Sequence, residues 1–324
     1  MDTRARGCYD TRRGGLVQRM SFSKADKTTR GIKIGIAVLL VLIAGFIAAY
    51  GFRGCGAIKS AGKISSHGMA RVPAATIPGG CGPFAVCELN ELKAREVRTS
   101  EFFIDENPVT NREYGACVDQ GACRDNRAGD CAVPDALGRP WPVSAGDAPA
   151  ELFDDERPAV CVSWSMARDF CKESGKRLPG DAEWMAAAGA GKGFVFPGAR
   201  LPQPGHEKWP AVAAGRFRLN GIANAGQPVC CGPDAGDGWA LTSPAGRFPE
   251  SDAETGLRDM AGNVWEWTAD CAAPARDGKC AARVIKGGSW ATSLYELRIR
   301  NKAGRDPALR SAEIGFRCAL DALE

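Results

Sequence analysis

Apolar and polar positions divide the chain into one long uncharged segment and a longer part with short apolar runs. Segment 34–52, IGIAVLLVLIAGFIAAYGF, contains no charged residue. About 19 residues at 1.5 Å each approach the roughly 30 Å hydrocarbon thickness of a bilayer. This segment therefore predicts one transmembrane helix. The alternatives are a buried helix of a soluble core and a cleaved signal peptide, which the lack of charge and of a small-residue cleavage site disfavour.

The segments on either side of this helix predict its orientation. Residues 1–33 are rich in Lys and Arg and carry more than the whole net charge of +4. Because basic flanks stay in the cytoplasm, we expect a cytoplasmic tail at the cell membrane and an extracytoplasmic domain, periplasmic if the cell is bacterial. Residues 53–75 are rich in Gly, Ser, Ala and Lys, which favours a flexible stalk. The remaining chain is slightly acidic, which argues against nucleic acid as a partner.

Residues 76–324 have the composition of one globular domain of about 250 residues. The 40 glycines and 20 prolines follow no period, which predicts many turns and much irregular structure. Periodic segments predict strands as well as helices, so we expect the domain to contain both. These segments are a strand at Phe102–Asp105, a helix after a Thr110 cap, a helix from Ser163 to Gly175 and a helix from Asp181 to about Ala188.

The cysteines agree with an extracytoplasmic domain. Only Cys8 of the 14 cysteines precedes the predicted helix, and this density is typical of oxidising compartments. Structural zinc is the alternative, but zinc-finger spacing is missing and His67 and His206 are the only histidines. Near neighbours in sequence are candidates for local disulfides, namely Cys117 with Cys123 and Cys271 with Cys280.

Several segments resemble one protein family. GKRLPGDAEW at 175–184 is similar to the family's GKRLPTEAEWE, and DMAGNVWEWT at 259–268 matches its DMxGNVWEWT signature. KGGSW at 286–290 and GFRC at 315–318 match its RGGSW and GFRC closing strands. On this resemblance the chain is identified as a member of the formylglycine-generating-enzyme, or sulfatase-modifying-factor, family. The similar segments follow the family's order from about residue 75 to the C-terminus.

The resemblance implies the fold and one long-range disulfide. The implied fold is a single compact, C-type-lectin-like α/β domain with much irregular backbone. Trp265 and Trp267 are expected to be buried together, because side chains two apart on an extended segment share a face. Cys171 and Cys318 match two positions that the family joins as a disulfide.

The resemblance also implies a structural calcium site in the DMAGNVWEWT segment. Asp259 and Glu266 would supply carboxylates, while Gly262 and Val264 would offer backbone carbonyls. Ligand sets made only of oxygen suit a hard cation such as calcium. The alternative is that the two carboxylates pair with arginines or face solvent.

Active members of the family carry two copper(I)-binding cysteines after Gly-Gly-Ser, with which they use oxygen to convert a substrate cysteine into formylglycine. Soft copper(I) requires soft thiolate ligands. Counted from Ser289, the two positions are Thr292 and Leu297, and neither can replace a thiolate. Copper is therefore not expected, unless other thiols such as Cys230 and Cys231 have moved into the site. Another branch of the family uses iron held by three histidines, which two histidines cannot supply.

Two functional hypotheses follow. The preferred one is a membrane-anchored, extracytoplasmic binding or scaffold module for an exported protein, a peptide or a glycan. The alternative is a formylglycine-generating oxidase with rearranged ligands that acts on exported sulfatase-like proteins. Arginine and aromatic side chains are suited to binding carboxylates, peptide backbone and glycans. The alternative is a structural role, in ion pairs for the arginines and in the core for the tryptophan. The candidate cleft residues are Ser289, Trp290, Tyr295, Arg298, Arg300 and Arg305.

Overall fold

The computed structural model describes several ranges of the chain, all within the compact unit Lys63–Glu324. These ranges are 68–79, 95–134, 140–192, 194–197, 237–248, 256–275 and 277–322. The predicted cytoplasmic tail, the predicted transmembrane segment 34–52, and Cys230 with Cys231 lie outside them. Among the helices in these ranges, none has the length and apolar character needed to cross a membrane.

Short strands form most of the regular structure. They are β1 Met69–Val72, β2 Ala75–Ile77, β3 Val97–Thr99, β4 Phe102–Asp105, β5 Asp130–Pro134, β6 Pro140–Ser144, β7 Trp265–Pro274, β8 Cys280–Lys286, β9 Ala303–Arg305, β10 Ile314–Gly315 and β11 Ala319–Asp321. Four strands form a sheet in the order β10-β7-β8-β9, and three form a sheet in the order β1-β4-β11. The pairs β2-β3 and β5-β6 are separate. Of these pairings, β10 with β7 is parallel and the rest are antiparallel.

Strand β1 corrects the predicted extent of the stalk. In the antiparallel pair with β4, Met69 lies opposite Asp105 and Val72 lies opposite Phe102. Met69 and Val72 are buried. The prediction of a flexible stalk over residues 53–75 is therefore wrong for its last part, because β1 belongs to the three-stranded sheet.

Three α-helices begin where the sequence predicts them. They are α1 Asn111–Asp119, α2 Trp164–Glu173 and α3 Asp181–Ala187. At the start of α1, Thr110 and Glu113 form a capping box, in which each side chain bonds the other residue's backbone N–H. The Ser163 hydroxyl accepts a hydrogen bond from the Met166 N–H and caps α2. After α2, Gly175 has φ of 71°, the left-handed conformation that commonly ends a helix.

Aromatic residues form a buried cluster against the four-stranded sheet. Trp265 and Trp267 of β7 are both buried, as their spacing predicts. In the same cluster the Tyr114 and Phe170 rings stack with centroids 5.5 Å apart, and Phe316 lies edge-on to Phe170 at 5.4 Å. The cluster joins α1, α2 and the segment after β10, so it fixes the helices on the sheet.

Four disulfides connect the described segments. They are Cys117–Cys123, Cys131–Cys161, Cys171–Cys318 and Cys271–Cys280. The two local pairs and the long-range pair expected from the sequence are confirmed. The Cys131–Cys161 bond was not predicted, because spacing alone does not identify partners that are distant in sequence.

Candidate functional site

A cavity of about 550 Å³ lies on the four-stranded sheet. Every strand of this sheet contributes to its wall, with Trp265 from β7, Ile285 from β8, Arg305 from β9 and Ile314 from β10. The other described residues of the wall are Ala132, Ala291, Thr292, Glu296, Asn301, Lys302, Ala303, Leu309, Ser311 and Glu313. Apolar walls with a few polar groups are typical of ligand-binding cavities.

The glycine turn after β8 lies beside Thr292 and Leu297, the two positions that the resemblance assigns to copper ligands. Gly287 and Gly288 have φ of 96° and 77°, a conformation that favours glycine. A Cβ atom on Gly288 would lie 2.4 Å from Leu297 Cδ2 and 3.0 Å from Thr292 Oγ1. The side chains of Thr292 and Leu297 therefore converge on Gly288, although neither carries sulfur.

The Thr292 hydroxyl completes the turn through its backbone contacts. Its Oγ1 accepts a hydrogen bond from the Ser289 N–H at 2.7 Å and donates to the Ser289 carbonyl at 3.1 Å. Leu297 ends the 3₁₀ helix Leu294–Leu297 and is fully buried. Of the two positions that the resemblance assigns to copper ligands, one is thus a turn-forming hydroxyl that lines the cavity, and the other is a core side chain.

Ser289 connects this turn to an acidic residue in the cavity wall. The buried Ser289 hydroxyl donates a hydrogen bond of 2.7 Å to Glu313 Oε1. Burial raises the pKa of the half-buried Glu313 carboxyl, while the Ser289 hydrogen bond and the charge of Arg305 lower it by less. A serine enclosed in this way holds the Glu313 carboxylate in place and is not an exposed nucleophile.

The structure places the remaining predicted cleft residues in different environments. Trp290 is fully buried and donates from Nε1 to the Ala312 carbonyl at 3.1 Å, so its role is in the core. Arg305 is exposed and lines the cavity.

The other two arginines and the tyrosine do not line this cavity. Arg298 is buried and donates from Nε to the Tyr295 carbonyl at 2.9 Å, while Arg300 donates to the Pro78 carbonyl at 2.5 Å. Tyr295 lies in the 3₁₀ helix. Arg298 and Arg300 therefore each bond a backbone carbonyl, whereas the structural alternative offered from the sequence was a role in ion pairs.

No described cysteine is free to bind a soft metal. All the cysteines within the described ranges form disulfides, and none lines the cavity. Within these ranges there is also no cluster of three or more His, Cys, Asp or Glu side chains arranged to hold a metal ion. Among the described residues, the side chains beside Gly288 are the Thr292 hydroxyl and the aliphatic Leu297, and these do not fit copper(I).

The carboxylate oxygens expected to bind calcium accept hydrogen bonds from other groups of the protein. Both Glu266 oxygens receive hydrogen bonds from Arg317, and Oε2 also accepts from Trp184 Nε1 at 2.8 Å. Asp259 Oδ2 accepts from the Gly246 N–H at 2.8 Å. Calcium needs several oxygens whose lone pairs are directed at the ion, and this donor set does not provide them.

The backbone of the same loop is held by internal contacts. The Gly262 N–H donates to the Gly287 carbonyl at 2.9 Å, and Val264 is fully buried. The contacts of Glu266 favour the alternative in which this carboxylate pairs with an arginine. The calcium site at Asp259, Gly262, Val264 and Glu266 remains a prediction from the resemblance, and these contacts do not support it.

The fold and the glycine turn define the class of protein, namely a formylglycine-generating-enzyme-like domain of mixed α/β structure. The chain belongs to the family described as the sulfatase-modifying factor enzyme 1-like domain, which it matches over residues 60–322. It is 31% identical over 263 residues to the inactive C-alpha-formylglycine-generating enzyme 2 of Bos taurus, covering 72% of this chain and 81% of that protein.

A bacterial relative and a solved structure agree with this assignment. The chain is 34% identical over 304 residues to the formylglycine-generating enzyme of Thermomonospora curvata, covering 80% of this chain and 95% of the relative. The structure of PvdO from Pseudomonas aeruginosa superposes with a TM-score of 0.58 at 24% identity, covering 78% of this chain and 94% of that one. At this identity the superposition shows the shared fold alone.

The sequence alone does not identify five polar residues of the cavity wall, namely Glu296, Asn301, Lys302, Ser311 and Glu313. Glu313 directly precedes β10, and the parallel pairing of β10 with β7 places Ile314 opposite Trp265. A two-residue strand of this kind leaves no period in the sequence. The one available signal was that Glu313 stands two residues before the GFRC segment at 315–318.

Proposed function

We propose that this protein is a membrane-anchored, extracytoplasmic binding module of the sulfatase-modifying-factor family without copper oxidase chemistry. The observation that carries this proposal is the pair Thr292 and Leu297, which converge on Gly288 where active members have two cysteines. A hydroxyl and an aliphatic side chain cannot act as the thiolate ligands that copper(I) requires. The remaining cavity offers shape, apolar surface and hydrogen-bonding groups, which support binding.

The name of one relative supports the same conclusion. The Bos taurus relative is described as an inactive C-alpha-formylglycine-generating enzyme. It shows that a chain of this family, similar to the present one over most of its length, is not assigned the oxidase activity. The proposed ligand is an exported protein, a peptide or a glycan, because the domain is proposed to lie outside the cytoplasm.

A second candidate function is the formylglycine-generating oxidase itself. It is favoured by the 34% identity to the Thermomonospora curvata enzyme. This function requires thiols from elsewhere in the chain beside Thr292, with Cys230 and Cys231 as the candidates from the sequence. Those cysteines lie outside the described residues, so the two functions are separated by experiment.

Copper(I) binding by the full-length protein tests the proposal. The purified protein in detergent is titrated anaerobically against a chromophoric copper(I) chelator. We expect the wild type to leave the chelator's copper in place, while the double variant Thr292→Cys with Leu297→Cys removes one equivalent. Stoichiometric binding by the wild type that outcompetes the chelator would overturn the proposal.

A peptide assay tests the oxidase directly. A Cys-x-Pro-x-Arg peptide is incubated with the full-length protein, copper and oxygen, and aldehyde is detected by its reaction with a hydrazide. An active enzyme of the family under the same conditions is the positive control. We expect no aldehyde with the present protein, and accumulation of aldehyde would establish the oxidase instead.

The proposed orientation has its own test. Protease is added to spheroplasts or intact cells that carry tags at both ends of the chain. We expect loss of the C-terminal tag and protection of the N-terminal tag, because the basic residues 1–33 are proposed to stay in the cytoplasm. Loss of the N-terminal tag alone would show the opposite orientation, and protection of both would place the domain inside.

A further inference from the structure

Glu313 is a carboxylate in the cavity wall, and the described residues give it no ion-pair partner. Its Oε1 accepts the Ser289 hydroxyl at 2.7 Å. Across the described ranges no Lys or Arg nitrogen lies within 4.0 Å of its oxygens. Burial without a counter-ion disfavours the charged form, and the raised pKa of Glu313 has this cause. A cationic group of a ligand would supply the missing counter-ion and stabilise the charged form of Glu313.

The cationic residues that share the cavity wall do not supply this charge. Lys302 Nζ forms an ion pair of 2.7 Å with Asp181 Oδ2. Arg305 is exposed and donates from Nη1 to the Gly304 carbonyl at 3.0 Å. The charge of Arg305 lowers the pKa of Glu313 without an ion pair between the two side chains. The position next to Glu313 is thus available to a ligand group.

The geometry of the carboxylate favours an ammonium group over a guanidinium group. Ser289 bonds Oε1 of Glu313, and no donor among the described residues bonds Oε2. A guanidinium binds carboxylates best with two parallel hydrogen bonds, whereas an ammonium acts as a compact point charge. Glu296 and Ser311 in the same wall are further acceptors for the three ammonium donors.

The apolar part of the wall suits the alkyl chain of such a ligand. Trp265, Ile285, Leu309 and Ile314 line the same cavity as Glu313. Long cationic side chains bury their methylene groups on apolar surface while the charged end reaches a polar partner. A volume of about 550 Å³ accommodates a side chain of this size.

We propose that the cavity binds a primary ammonium group on an alkyl chain, with Glu313 as the residue that pairs with the ammonium. This inference rests on the proposed function of the cavity as a binding site, and it names the chemical class of the ligand. The ammonium can belong to a lysine side chain of a polypeptide or to a free alkylamine, which share this chemistry.

Calorimetric titration of the full-length protein in detergent tests the inference. The probes are Nα-acetyl-lysine amide, its Nε-acetylated form, Nα-acetyl-arginine amide and pentylamine. We expect the lysine probe to bind at least tenfold more tightly than the acetylated form, and more tightly than the arginine probe. Pentylamine binding as tightly as the lysine probe identifies a free amine as sufficient, whereas weaker binding assigns the preference to a polypeptide side chain.

Two variants and a control connect the binding to Glu313. Glu313→Gln keeps an acceptor for the Ser289 hydroxyl, and we expect it to weaken binding of the lysine probe at least tenfold. Arg305→Ala removes an exposed cation whose field opposes the ligand, and we expect it to tighten binding severalfold. Glu173→Gln, at an exposed carboxylate of α2 outside this cavity, is expected to change nothing.

Several results would overturn the inference. They are no binding of any cationic probe, equal binding of the acetylated probe, and equal binding by Glu313→Gln. If Glu313→Gln does not fold, unchanged or weaker binding by Arg305→Ala has the same consequence. The copper titration does not depend on these probes. If the amine probes do not bind, the proposed binding module remains and its ligand belongs to another chemical class. If the wild type binds copper(I), the proposal of a binding module is itself overturned.

Discussion

Arg317 and Glu266 form a two-pronged ion pair in the interior, with side chains that are 0% and 1% exposed. Arg317 Nη2 lies 2.7 Å from Glu266 Oε1, and Nε lies 2.8 Å from Oε2. The remaining Arg317 donors bond the carbonyls of Asp105, Glu106 and Arg258. The pair therefore joins β7, the end of β4 and the loop before the DMAGNVWEWT segment, and it lies within two of the segments that carry the family resemblance.

Removal of the Glu266 charge is expected to destabilise the protein strongly. Glu266→Gln leaves the Arg317 guanidinium buried without a counter-ion, and such a loss costs about 3 to 5 kcal/mol of unfolding free energy. The measurement is urea unfolding of the full-length protein in detergent, followed by tryptophan fluorescence.

An exposed ion pair provides the matched control for this variant. Glu101→Gln breaks the pair between Arg71 and Glu101, whose side chains are 64% and 35% exposed. Solvent screens exposed ion pairs, which therefore contribute little to stability, so this change should be small. Equal losses for the two variants would contradict a special contribution from the buried pair.

The Cys171–Cys318 disulfide is expected to stabilise the domain more than the local Cys117–Cys123 disulfide. The two bonds span sequence separations of 147 and 6 residues. In the chain-entropy model these loops correspond to stabilisations of about 5 and about 2 kcal/mol. Paired Cys→Ala variants compared by thermal unfolding measure the difference. A larger loss for the local pair would show that strain or residual structure, and not loop entropy, determines the effect.

Glu313 is expected to make stability depend on pH in a direction opposite to that of an ordinary salt-bridged carboxylate. Burial raises its pKa in the folded state, so the folded protein holds this proton more tightly than the unfolded chain. The resulting stability is present below the ordinary Glu pKa and is lost as pH rises through the raised value. Arg305, Lys302 and Glu296 share the cavity with this group.

Comparison of the wild type with Glu313→Gln isolates this contribution. Other buried carboxylates, such as Asp105 and Asp259, titrate in both proteins and cancel from the difference. We expect the stability of the variant relative to the wild type to increase from about pH 4 to about pH 7. Over this range Glu313 of the wild type ionises and the stabilisation from its protonated form is lost, whereas the glutamine of the variant does not titrate. A difference that stays constant or decreases over this range would show that the folded-state pKa is not raised.

Local signals made the helices predictable, whereas the cavity depends on contacts between distant segments. The caps at Thr110 and Ser163 lie next to the helices that they start, so the sequence contains the evidence directly. By contrast, Glu313 reaches Ser289 only because β10 pairs with β7 in the folded sheet. Strand β1 lies in the segment predicted to be a stalk, because a four-residue strand is too short to establish a period.

The side chains of Leu297 and Thr292 leave no room for a Cβ atom at Gly288. Gly288 has φ of 77°, and an added Cβ would lie 2.4 Å from Leu297 Cδ2 and 3.0 Å from Thr292 Oγ1. Gly288→Ala therefore combines backbone strain of about 1 to 2 kcal/mol with a steric clash in a buried region. We expect it to lower the thermal unfolding midpoint and to displace Thr292 from the cavity wall.

Gly278 separates the two effects, because it has the same φ of 77° and nothing within 4 Å of an added Cβ. Gly278→Ala should carry the backbone strain alone, so the stability difference between the two variants measures the clash. Since the clash arises because Leu297 and Thr292 both lie beside Gly288, equal stability losses in the two variants would mean that these side chains do not meet there. The assignment of Thr292 and Leu297 as neighbouring replacements for the copper ligands would then lose its structural basis.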